Sequence, residues 1–140
     1  MVKAVFDTNV LVAALMSRDG ASFELLKRIG TDAGLTPCLS VPLVLEYESA
    51  LKRRLGVDDA RIDPVLNYLC RVGEHCEIYF LWRPFLRDPD DEMVLEVAVG
   101  GGASVIVTHN IRDFAGVDER FGIRIATPGE ILREGNPLAR

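Results

Sequence analysis

The sequence predicts an α/β protein in which helices cover both faces of a parallel sheet. Three observations carry that prediction. Val2–Phe6 and Ser104–Thr108 are short, largely apolar and rich in β-branched residues, as strands buried on both sides are. Stretches with apolar residues at helical spacing alternate with such runs along the chain, which is the pattern of a βαβ succession. Each of the two runs also ends abruptly in polar residues, Asp7-Thr8-Asn9 and His109-Asn110. The carboxyl ends of strands are where open α/β sheets place their ligand sites.

The elements follow in order. After the Val2–Phe6 strand, Asn9 to Met16 has Val10, Leu11, Ala13, Ala14 and Leu15 at helical spacing. Ser17-Arg18-Asp19-Gly20 is a turn, and Ser22 to Ile29 is a second helix with Phe23, Leu26 and Ile29 on one face. Residues 30–34 break it. Leu35 to Ser40 is a strand candidate weakened by Pro37. Ser40 caps a helix with Pro42 in its first turn, running to about Leu55. A further helical stretch runs from Gly56-Val57-Asp58 to about Val72, with a split expected at Pro64. Cys76 to Trp82 is rich in strand formers. Asp88-Pro89-Asp90-Asp91-Glu92 is a strong helix start, and that helix runs to Val99 before Gly100-Gly101-Gly102 stops it. The Ser104–Thr108 strand leads through a polar turn into one helical turn ending near Phe114. Ile123 to Ala126 is the last strand, and Thr127 to Arg133 is a short terminal helix.

The chain has 140 residues, of which 49% are hydrophobic and 26% charged, so one domain over 1–133 is expected, with a loose tail over 134–140. No apolar run approaches the ~18 residues that span a membrane, and no signal peptide is evident. Cys38, Cys70 and Cys76 are odd in number and lack zinc spacing, so they read as reduced core residues of a cytoplasmic protein. The net charge of −5 disfavours a protein that coats nucleic acid nonspecifically. It does not exclude a nuclease, because a metal site built from carboxylates would supply several of those charges.

The acidic residues fall in equivalent places. Asp7 ends the first strand, Asn110 and Asp113 follow the Ser104–Thr108 strand, and Asp88 and Asp91 open the helix before it. Glu46 sits one turn into the Ser40–Leu55 helix, at the margin of its apolar face. If the two central strands are neighbours, Asp7 and the Asn110–Asp113 turn meet at one sheet edge. Carboxylates crowded into one cleft repel unless a cation compensates them. Oxygen donors without Cys or His favour Mg²⁺ or Mn²⁺ over zinc. Such a site suits phosphodiester hydrolysis, in which water is activated and charge on the leaving oxygen is stabilised.

These motifs resemble those of small PIN (PilT N-terminus) domain proteins of the toxin–antitoxin kind. The residues that carry the resemblance are Val-Phe-Asp7-Thr-Asn9-Val-Leu, Ser40 with Glu46, Asp88-Pro-Asp-Asp91, and Ile-Val-Thr108-His-Asn110-Ile-Arg-Asp113-Phe. They span nearly the whole chain. The resemblance implies a three-layer α/β/α fold around a mostly parallel five-stranded sheet, and a metal-dependent endoribonuclease. It implies Asp7, Glu46, Asp91 and Asp113 as catalytic metal ligands for one or two Mg²⁺ or Mn²⁺ ions. Thr8, Asn9, Thr108 and Asn110 would orient them. An RNA substrate, a cognate antitoxin and a homodimer are implied in the same way. Many relatives carry Asp where this chain has Asn110, which leaves only Asp113 as a carboxylate in that turn.

Simpler readings stand beside these. Asp7 alone is as well explained as a helix cap. Thr8 and Asn9 read first as cap and turn residues, and Asp113 could cap the turn before Phe114. Glu46 by default is a solvated helix residue facing Lys52 or Arg53. Asp88 reads as a cap, whereas Asp90, Asp91 and Glu92 are more acids than a helix start needs. Lys52-Arg53-Arg54 suits a helix carboxyl end first and a phosphate-binding patch second. Arg18 and Arg112 lie nearer the expected site and are the better RNA backbone contacts. His109 reads as an exposed turn residue first and an aid to catalysis second, and Trp82 and Phe85 as core first and base-stacking rings second. The competing function is a PIN-like module that binds RNA or protein without cutting, which Asn110 favours. A haloacid-dehalogenase-type phosphatase would need Asp where Asn9 stands. A phospho-receiver lacks its acidic pair, and a dinucleotide site lacks the glycine motif after the first strand.

Overall fold

β1 (Val2–Phe6) has a neighbour on each side, β2 (Leu35–Leu39) and β4 (Val105–Val107). Beyond them lie β3 (Glu74–His75) and β5 (Arg124–Ala126), every pair being parallel. The computed structural model describes residues 2–31, 34–78 and 84–134. Strand order 3-2-1-4-5 puts the reversal of winding between β1 and β4, where an open parallel sheet leaves a crevice at its carboxyl edge. Ala4, Val5 and Phe6 are all buried, as are Val105, Ile106 and Val107. Side chains alternate between faces, so burial of consecutive residues requires cover on both sides.

That cover is helical. α5 (Pro89–Gly101) lies against β1, β2 and β4, and α4 (Ile62–Val72) against β2. α1 (Thr8–Met16) packs on α2 (Ala21–Arg28) and on α3 (Val41–Leu55), and α3 also reaches α4 and α5. α2 meets α7 (Pro128–Arg133), whose Thr127 and Glu130 form a reciprocal capping box. Ser40 caps α3 through the Leu43 N–H, as expected from Pro42 behind it. Among the described residues no helix is long and apolar enough to cross a membrane. The three cysteines are free thiols, with only Cys38 buried and the other two partly exposed.

Four local expectations need correction. Pro64 does not split its helix: α4 begins at Ile62, so Pro64 lies in the first turn, where its missing N–H has no partner to lose. The residues before it, Val57 to Arg61, form turns, tied by Arg61 to the Asp59 carboxylate. The strand expected from Cys76 is paired earlier, at Glu74–His75, and only the Cys76 N–H continues the ladder onto the Leu39 carbonyl. The rest of that expected strand, including Trp82, lies outside the described residues, as does the tail beyond Glu134. α5 runs through Gly100 and Gly101 to a left-handed Gly102, so the glycine run is part helix and part stop. α6 (Val117–Phe121) was not expected, being a five-residue helix between two left-handed glycines, Gly116 and Gly122.

Candidate active site

The crevice forms where β1 and β4 end side by side. Phe6 pairs with Val107, and the Asp7 N–H continues the ladder onto the Val107 carbonyl at 2.9 Å. Asp7 is the cap of α1 and is almost fully buried, at 7% exposure. One of its oxygens accepts from the Thr8 N–H at 2.8 Å. The other accepts from the buried Thr108 hydroxyl at 2.8 Å and from the Asn9 amide at 3.2 Å. Thr108 Oγ1 in turn accepts from the Asn110 N–H at 3.0 Å, and Asn9 Oδ1 accepts from the His109 N–H at 3.3 Å. The cap and site readings of Asp7 are therefore compatible. Thr8, Asn9, Thr108 and Asn110 all belong to the network that fixes it.

α3 approaches the same point. Tyr47 is fully buried and its hydroxyl donates to the Phe6 carbonyl, pinning the helix to the last residue of β1. Glu46, the neighbouring residue, consequently lines the crevice. Tyr47 was not singled out from the sequence, although a large polar aromatic on the apolar face of a helix must find a partner for its hydroxyl. Asp88 caps α5 through the Asp90 N–H at 2.8 Å and brings Asp90 and Asp91 to the opening. The resulting cavity, about 720 Å³, is lined by Asp7, Glu46, Asp88, Asp90, Asp91 and Asp113, with Asn110 and Arg53 also on its wall.

The electrostatics record the crowding. Burial, then repulsion from Asp7, Asp88, Asp113 and Asp90, pushes the Asp91 carboxyl up to about 7. Asp7 is also raised, first by burial and further by Asp113 and Asp88, against the lowering effect of its bonds to Thr108 and Thr8. Glu46 is compensated differently, by Arg53 Nη2 at 3.4 Å, while Arg53 Nη1 donates to Ser49 at 2.7 Å. Arg53 is one of the two cations expected to face Glu46 as a solvated helix residue, reached seven residues along the helix. Oxygen donors and unrelieved repulsion suit a hard divalent cation. As placed, no three His, Cys, Asp or Glu side chains among the described residues are close enough to share one ion. Side-chain rotation would therefore have to accompany binding.

The basic residues divide. Arg112 lines a second cavity of about 410 Å³ that shares Asp88, Asp91 and Asp113 with the first. Arg18 is on the exposed turn after α1 and lines neither cavity. Arg53 and Arg54, read as a helix-end pair first, both line the main cavity. His109 is exposed and bonded to Ser22 at 2.6 Å, away from both cavities. Phe85 is 39% exposed and not a core residue.

A family model described as PIN domain matches residues 3–112. The chain belongs to the PIN-domain family. Among solved structures, it is similar to a chain of VapBC2 from Rickettsia felis, determined bound to a DNA fragment from its promoter. That likeness has a TM-score of 0.60 at 14% identity and covers 90% of this chain and 98% of the other, so it concerns the fold. A comparison with curated protein sequences gives no match. In this chain the residues that follow β1 and β4, together with α3 and α5, bring acidic side chains to the wall of one crevice.

Proposed function

We propose that this PIN-domain protein is a metal-dependent endoribonuclease. The observation that carries the reading is the set of carboxylates, Asp7, Glu46, Asp91 and Asp113, brought from four separate elements to one cavity. A fold-stabilising role would not gather acids that raise the proton affinity of Asp7 and Asp91. Asp7, Asp91, Asp113 and Glu46 are the residues that would hold Mg²⁺ or Mn²⁺. When bound, such an ion supplies water activation and compensates charge on the leaving oxygen. Thr108 and Asn9 hold the Asp7 carboxylate in place, and Asn110 offers a neutral oxygen beside Asp113. Arg53, paired with Glu46 on the cavity wall, would offer its guanidinium to a phosphate of the RNA backbone. Arg112 stands on the other side of the acids, and Arg18 is a more distant backbone contact.

A toxin role with an antitoxin partner, and a homodimer, belong to the same proposal. Support comes from the likeness to a VapBC2 chain and from exposed apolar side chains. Val41 and Leu45 lie one turn apart on α3, and Met16 lies at the rim of the cavity. The cytoplasm is the compartment such a role requires. A second reading, a module that binds RNA without cutting it, is favoured by Asn110 and by the open spacing of the acids.

Purified protein incubated with a mixed pool of structured RNAs, with Mn²⁺, Mg²⁺ or EDTA, separates the two. Cutting that needs the metal and disappears in Asp7→Asn is expected, since Asn preserves the cap while removing the charge. RNA binding with no cutting under either metal would establish the second reading instead.

A further inference from the structure

The second cavity has a built wall whose purpose the carboxylates do not explain. Its aromatic member, Phe85, is more than a third exposed yet held by three independent contacts. Its ring meets Phe121 edge-on, with centroids 5.3 Å apart and planes at 83°. The tip of the ring lies against Gly116, where an added Cβ would stand 3.2 Å from Cζ. The backbone N–H groups of Phe85 and Leu86 both donate to one oxygen of Glu92, at 3.0 and 2.8 Å. Glu92 is a buried carboxylate whose other oxygen has no hydrogen-bond partner among the described residues. A buried acid half-satisfied in this way costs stability. Here it fixes a loop whose main product is an aromatic ring facing solvent beside the acidic crevice. Arg87 and Arg112 line the same cavity, and neither guanidinium is ion-paired among the described residues.

We infer that this cavity is a nucleobase subsite for single-stranded RNA, with one base stacked on Phe85 and the adjoining phosphates met by Arg112 and Arg87. The inference rests on the ribonuclease reading above and adds the position at which the substrate is gripped. Rigid aromatic rings accept any base face, while arginines follow the backbone, which is how single-stranded nucleic acid is held without a duplex groove to read. A cavity of about 410 Å³ also has the size of sites that take small planar ligands. Because Asp88, Asp91 and Asp113 belong to both cavities, the stacked base adjoins the phosphate presented to the acids. The strand crosses the acids between Arg53 on one side and Phe85 on the other. Paired RNA, with its bases stacked inside the helix, does not fit this arrangement.

The test uses the full chain with Mn²⁺ and a set of short single-stranded RNAs, each lacking one base at a successive position. Loss of one stacked base costs about 5- to 150-fold in affinity. For the natural chain, KM is expected to rise by that factor when the missing base adjoins the cut, with kcat little changed. Phe85→Ala is expected to show the same rise on intact RNA and to become indifferent to the missing base. Phe85→Tyr, which keeps the ring, is expected to behave as the natural chain. Anisotropy of labelled RNA, read in EDTA, should rank the three proteins in the same order. The inference is overturned if Phe85→Ala stays sensitive to the missing base, or weakens every RNA equally, as a merely loosened loop would. In either case cutting by the natural chain leaves the ribonuclease reading standing; no cutting at all sinks both.

Discussion

The carboxylate of Asp7 has one oxygen on the Thr8 amide and the other shared between Thr108 and Asn9. Thr108 is the member of this network with no substitute, because it links Asp7 to the Asn110 amide of the next turn. Thr108→Val keeps the shape and removes every bond of the hydroxyl, leaving a buried carboxylate short of a donor. We expect a loss of about 1–3 kcal/mol in urea denaturation. Activity should fall roughly 10–100-fold, as it does when a ligand loses the group that orients it. Asp91 provides a pH signature. The unfolded chain releases this proton near 3.8 and the folded chain near 7, so the folded state alone holds it between those values. Stability from this group therefore falls as pH rises across that window, and Asp7 acts in the same direction. The melting temperature of metal-free protein should drop from about pH 4 to about pH 7, and Asp91→Asn should flatten the drop. At this scale Asp7 and Asp91 were legible in the sequence through their positions at element ends. Arg53 was legible only as a second reading, because a cation at a helix carboxyl end has a sufficient local explanation and only the approach of α3 to β1 turns it into the crevice.

Elements show why some of the fold could be read directly and some could not. β4 is a continuous apolar run and β1 is apolar apart from Lys3, so both could be read without reference to their neighbours. β3 is Glu74–His75, two polar residues that become a strand only by pairing with Cys38 and Leu39. α6 has no apolar period long enough to register, and two glycines in the left-handed conformation define it. The join between α4 and β3 is correspondingly demanding. A Cβ on Gly73 would lie 2.6 Å from the Leu69 carbonyl, 2.7 Å from Leu39 Cδ1 and 3.0 Å from the Pro37 carbonyl. Two of those atoms are backbone and cannot rotate away. Gly73→Ala should cost about 1–3 kcal/mol by chemical denaturation, as overpacking does, and should speed amide exchange at Cys76, whose N–H continues the β2–β3 ladder.

For the whole molecule, the proposed ion site would make folding and ion binding linked equilibria. Mn²⁺ held by the folded chain and not by the unfolded one should raise the melting temperature with concentration. At one hundred times the dissociation constant the gain is about 2.7 kcal/mol. The gain should grow as pH rises through 7, since Asp91 must give up its proton to bind. Absence of any shift with Mn²⁺ at pH 8, in a chain that still folds, would remove the ions from the proposal. The parallel order of the strands has one more result. Asp7 and the Thr108 hydroxyl that holds it are 101 positions apart in the chain. At synthesis rates of about 5–20 residues per second, the first acid waits roughly 5–20 s for its partner to be made. The central strand has only β2 beside it for most of that interval. A nascent chain therefore holds Asp7 without an assembled crevice until β4 has been made.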